Sequence, residues 1–156
     1  MVSIGESLRI GSYELDQSLS DVSDELKELG PEIFLLLPKT FEDEAVYEGQ
    51  EITFLGTQWN STISITGGKI YKIGIDFMAN RKLSWLFHNS LQYLHEQIGD
   101  FSGQVNKDMY AWDTDWGYNI VLLKKSQAGV GSVSIFFTWE APLIKLARES
   151  QGRQSF

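Results

Sequence analysis

The chain of 156 residues contains no cysteine, so disulfides, thiolate metal sites and a cysteine nucleophile are excluded together. A cytoplasmic setting is therefore expected, or a secreted or periplasmic one if a leader has been removed. Long hydrophobic runs are lacking too. The longest, Ile33-Phe34-Leu35-Leu36-Leu37, is closed by Pro31 and Pro38, well short of the ~20 residues of a membrane helix. The opening Met1-Val2-Ser3-Ile4-Gly5-Glu6 has no basic region leading into an apolar stretch, so no secretory signal is expected. No cluster of Lys and Arg occurs, which argues against nucleic acid and anionic membranes as partners.

What is present is ordinary for a globular domain: 42% hydrophobic and 22% charged residues. A domain of about 150 residues buries roughly 68–70% of its unfolded surface, so a single domain over residues 1–156 can hold one core without staples. Charge is uneven. Residues 1–51 hold 13 acids against 3 bases, hence −10, whereas residues 52–156 hold 8 acids against 10 bases, hence +2. An acidic first third serves solubility and favours a basic partner.

Leu19, Val22, Leu26 and Leu29 recur at helical spacing with acids between them and Gly30-Pro31 behind, which predicts a short amphipathic helix. Leu83, Leu86, Phe87, Leu91, Leu94 and Ile98 predict a longer one, with Asn80 as cap and Gly99 as stop. A third, Leu143 to Arg148, follows Pro142. Period-two alternation places Trp59, Ser61, Ile63 and Ile65 on one face of a strand and continues through Tyr71, Ile73, Ile75 and Phe77 after Gly67-Gly68. Residues 58–77 thus read as a β-hairpin. A matching pair is expected at 116–123 and 131–139.

The halves resemble each other. Thr57-Gln58-Trp59-Asn60-Ser61-Thr62-Ile63 aligns without gaps on Thr114-Asp115-Trp116-Gly117-Tyr118-Asn119-Ile120, each after an expected apolar helix ending in Gly (Leu29-Gly30 and Ile98-Gly99) and before a second strand. The expected fold is α+β, a duplicated helix and antiparallel-strand unit (about 8–77 and 80–139, then a C-terminal segment 140–156) forming one antiparallel sheet with helices on one face. That order resembles the β-lactamase inhibitor proteins, and single units of it resemble small outer-membrane assembly lipoproteins. The opening Ile10-Gly11-Ser12-Tyr13-Glu14-Leu15-Asp16-Gln17-Ser18-Leu19-Ser20-Asp21-Val22 is similar to how such units begin. The resemblance covers most of residues 8–139 at the level of topology and implies an inhibitor-like role. Those inhibitors are secreted and disulfide-bonded, unlike this chain, so no functional residue carries over.

Catalytic and metal motifs fare poorly. His88 and His95, the only histidines, stand seven residues apart on the second helix, about 10.5 Å along its axis, too far for one metal. No Gly-x-Ser-x-Gly elbow is present. An EF-hand loop from Asp113 would need ligands where Gly117 and Lys124 stand, and two carboxylates in one acidic turn seldom flank a sugar. Trp59 and Trp116 fall on the apolar face and are expected in the core. Gly129-Val130-Gly131 lacks the following helix of a dinucleotide loop, and Asn60-Ser61-Thr62, a glycosylation acceptor by pattern, lies within a strand. No enzyme activity, cofactor or metal is expected.

The opposite sheet face carries Asn60, Thr62, Ser64, Lys72 and Asp76 in the first half and Asn119, Val121, Leu123, Phe136 and Thr138 in the second. The second group is half apolar. Such a patch marks a partner or ligand surface, or is covered by a loop, the C-terminal segment or a second copy of the chain in a homodimer. Asn119, Val121, Leu123, Phe136 and Thr138 are the candidate binding residues of a non-enzymatic protein-binding module, inhibitor-like or immunity-like. The alternative is a carrier of a small apolar ligand held between sheet and helices.

Overall fold

The computed structural model describes residues 2–37, 39–79, 83–127 and 130–154. In chain order the elements are β1 (Val2–Ser3), β2 (Arg9–Ile10), β3 (Lys27–Glu28), β4 (Ala45–Glu48), β5 (Ile52–Phe54), β6 (Thr57–Thr66), β7 (Lys69–Ala79), α1 (Leu83–Ile98), β8 (Gly103–Asn106), β9 (Met109–Asp113), β10 (Tyr118–Gln127), β11 (Val130–Trp139) and α2 (Ala141–Gln154). Three 3-10 turns, Leu19–Asp21, Ser23–Glu25 and Pro31–Leu35, lie in the first third. The fold is α+β.

One antiparallel sheet of nine strands runs β3-β4-β6-β7-β11-β10-β9-β8, with β5 pairing β6 beside β4. The β6–β7 hairpin turns at Gly67-Gly68, whose φ values of 59° and 73° glycine adopts without strain. Its two strands interdigitate side chains as the alternation predicts, Ile63 opposite Ile73 and Ser61 opposite Ile75. A register shift between Ser64 and Ile65 breaks the parity once, pairing Ile65 with Ile70. Tyr71 is therefore not in the main core with Ile73 and Ile75; it packs edge-on against Phe41, 5.0 Å between ring centroids.

The inner sheet face buries Ile63, Ile73, Ile75, Ile120, Leu122, Ile135 and Phe137. Over β10 and β11 lies α1, whose Leu86, Phe87 and Leu94 join that core. Each such side chain contributes roughly 1.5–3 kcal/mol relative to exposure. The helix stops at Gly99, whose φ of 107° and N–H bond to the His95 carbonyl (2.8 Å) end it as expected. Its expected cap, Asn80, lies outside the described residues, as does Gly129.

The first half is covered differently from expectation. Where an amphipathic helix was expected over Leu19 to Leu29, the chain makes two short 3-10 turns and then β3, and of the four apolar residues only Val22 is buried. The segment is tied to the sheet at both ends, Leu19 N–H to the Gly68 carbonyl and Leu29 N–H to the Val46 carbonyl, both 2.9 Å. Ser18, Ser20 and Ser23 also favour local turns over continued helix. Ile10, Tyr13 and Val22 cover the sheet there, with the Tyr13 hydroxyl accepting from the Gln50 N–H.

Two further expectations change. Trp116 stands in the turn before β10 and is 38% exposed, while Trp59 in β6 is fully buried, so the two aligned tryptophans differ in setting, although the aligned Ile63 and Ile120 are both buried on the inner face. With the first-half helix also missing, duplication is not confirmed. The C-terminal helix is longer than Leu143 to Arg148, because Pro142 falls in the first turn, where its lack of an N–H costs nothing.

Candidate binding face

Strand parity and register assemble the outer face row by row. One row reads Asp113, Asn119, Thr138, Lys72, Ser64; the next reads Ala111, Val121, Phe136, Gly74, Thr62; the third reads Met109, Leu123, Ser134, Asp76, Asn60. All five candidate residues, Asn119, Val121, Leu123, Phe136 and Thr138, thus meet on one surface, and all five are half-buried. Sequence reasoning missed Met109 and Ala111, which extend the apolar patch across β9. Their alternation lasts only five residues and runs into an acidic turn.

Phe136 owes its position to a missing side chain. A Cβ on Gly74 would stand 3.0 Å from both Cδ1 and Cε1 of the ring, so the glycine lets the ring lie closer to β7 than a side chain there would. The Lys72 ammonium sits over the same ring, 4.9 Å from its centroid.

On the first half this face is partly roofed. The stretch between β3 and β4 brings Leu36, Leu37 and Glu44 over Thr62, Ser64, Lys72 and Asp76, and together with Met78, Ser134 and Phe136 they enclose a cleft of about 380 Å³. Glu44 is buried and committed: its Oε1 accepts from the N–H groups of Thr40 (2.9 Å) and Phe41 (3.2 Å). Burial, with the Glu44 carboxylate beside it, pushes the Tyr71 hydroxyl far above its usual range. Burial also lowers the Lys72 ammonium, a shift opposed by the charge of Glu44, and raises the Asp76 carboxyl. On the rim, Leu35 and Leu36 are 86% and 82% exposed. The apolar run between Pro31 and Pro38 was visible in sequence, but nothing there showed that it would stand outward.

A larger cavity of about 480 Å³ lies between α2 and the β6–β7 turn, beside Phe41, Trp139 and Leu146. Two of its charged groups are already engaged. Asp43 accepts from the Gly67 N–H (2.8 Å) and the Thr66 hydroxyl (2.7 Å), bonds that hold its carboxyl below the usual range, and Lys69 pairs with Asp16 at 3.2 Å. His88 and His95 are exposed on α1, and His95 Nδ1 lies 3.4 Å from Asp100. The Trp112 indole, beside the acidic turn, is fully buried and donates to the Gly99 carbonyl at 3.1 Å.

Comparison of the chain with protein-family models, with curated proteins and with solved structures returns no match. Among the described residues no helix is long and apolar enough to cross a membrane.

Proposed function

We propose that this chain is a non-enzymatic protein-binding module that recognises its partner through the outer sheet face, in the manner of an inhibitor or immunity protein. The observation that carries the reading is the apolar row Ala111, Val121, Phe136, with Met109 and Leu123 beside it, half-exposed on an open sheet face. Such a patch gains by covering it. The acidic first third supports a basic partner, because opposite charge speeds encounter and selects against acidic competitors. The likeness to β-lactamase inhibitor proteins and a cytoplasmic setting belong to the same reading.

A carrier of a small apolar ligand would need room between α1 and the sheet. Leu86, Leu94, Ile120, Leu122 and Ile135 already fill that space with at most 1% exposure, which favours the first reading.

The test is affinity capture from native lysate with the wild-type chain beside a Val121→Lys/Leu123→Lys variant whose folding is checked by circular dichroism. Neither substituted residue lines the cleft. A protein held by the wild type and lost from the folded variant is the expected result. Equal capture by both would remove the apolar row from the interface.

A further inference from the structure

Two of the charged groups lining the cleft on the outer face, Lys72 and Asp76, make no ion pair among the described residues. Lys72 and Asp76 stand four residues apart on β7, both half-buried and both on the outer face. The ion pairs of the described residues are Arg9 with Glu14, Lys69 with Asp16, His95 with Asp100 and Lys124 with Asp108. Neither cleft charge is among them, and the cross-strand neighbours are neutral: Ser64 and Thr138 beside Lys72, Asn60 and Ser134 beside Asp76. The remaining carboxylate, Glu44, is hydrogen-bonded to the backbone of Thr40 and Phe41 and acts on Lys72 through its charge alone, and Lys125 also lines the cleft. Lys72 therefore has the Phe136 ring and the charge of Glu44 but no ion pair, and Asp76 has none among the described residues; a partly desolvated charge so placed opposes folding, and a bound group of opposite sign lowers that penalty.

Between the two charges comes Gly74, against which the Phe136 ring lies. Along β7 the outer face therefore presents cation, apolar ring, anion at alternate residues, spanning about 13 Å at the rise of a strand. Alternate side chains of any extended peptide keep the same interval.

We propose that the cleft binds an extended segment of a partner protein carrying an acidic, an apolar and a basic side chain at positions i, i+2 and i+4, the acid on Lys72, the apolar side chain against Phe136 and the base on Asp76. This rests on the protein-binding reading and adds the chemistry recognised. Leu36, Leu37 and Met78 form the apolar wall against which the segment lies.

Three capped peptides test it by chemical-shift titration of the isotopically labelled full chain: acetyl-Glu-Thr-Leu-Thr-Lys-amide, the reversed acetyl-Lys-Thr-Leu-Thr-Glu-amide and the neutral acetyl-Gln-Thr-Leu-Thr-Gln-amide. One charged order should move the amides of Lys72, Gly74, Asp76 and Phe136 and bind at least about threefold tighter than the neutral peptide. In the Lys72→Glu/Asp76→Lys variant the preferred order should invert. Should that variant not fold, the single changes Lys72→Gln and Asp76→Asn must each reduce the preference between orders. No shifts at those amides up to about 10 mM peptide, equal affinity for all three, or a preference unchanged by the substitutions would overturn the proposal. Partner capture that depends on Val121 and Leu123 while the peptides fail would remove the cleft alone and leave the protein-binding reading standing.

Discussion

At the scale of single residues, Asp76 is the most informative. Its carboxyl is raised by burial, with no hydrogen bond or ion pair to offset the desolvation among the described residues. An acid whose folded pKa exceeds its unfolded value penalises the folded state wherever it is ionised, and the penalty fades as pH falls through the folded value towards the unfolded one, about 3.9. Asp76→Asn should therefore stabilise the chain at pH 7 by less than about 1 kcal/mol, since the group is only half-buried. The gain should vanish near pH 4. Urea unfolding of both proteins at the two pH values measures it, and an equal difference at both would mean that the charge is not its origin. The tryptophans show what could be read from sequence at this scale. Trp59 lies within a long alternation and is buried as its parity requires. Trp116 shares its local spelling but precedes Gly117, whose φ of 86° makes a turn, and a turn leaves strand parity without meaning.

At the scale of elements, legibility followed length. The pattern of Leu83–Ile98 repeats for four turns and the β6–β7 hairpin for some twenty residues, and both were foreseen. The four-residue strands β4 and β8 and the three-residue β5 carry too few alternations to stand out, and the first third is shaped by hydrogen bonds to distant β6–β7 residues rather than by its own period. The bulge that displaces Tyr71 is likewise fixed by pairing, not by local sequence. One defect remains inside the best-read element. Ser90 lies on the buried stripe of α1 between Leu86 and Leu94, fully buried, and its hydroxyl has no hydrogen-bond partner among the described residues. Ser90→Ala removes a desolvated hydroxyl and adds helix propensity, so a stabilisation of roughly 1 kcal/mol is expected in urea titration. A loss of stability instead would mean that the hydroxyl is satisfied by an internal water.

At the scale of the whole molecule, the charge asymmetry of the sequence becomes an asymmetry of shape. Residues 1–51, with a net charge of −10, supply β1 to β4 and the turns between them; most of their acids lie in those turns, since β3 and β4 hold only Glu28 and Glu48 beside Lys27, while the opposite edge strand, β8, is uncharged. Among the described residues, two ion pairs, Arg9 with Glu14 and Lys69 with Asp16, involve acids of that segment. Repulsion among the exposed acids outweighs these exposed pairs, each of which contributes little. Added salt should therefore stabilise the chain. Screening is strong once the Debye length falls to about 8 Å, near 0.15 M, so the urea midpoint should rise steeply between low salt and that concentration and then flatten. The expected gain is about 1 kcal/mol. A linear rise that continues into concentrated salt would instead signal exclusion of the salt from apolar surface, and a fall would show that the few ion pairs, not the repulsion, dominate the acidic first third.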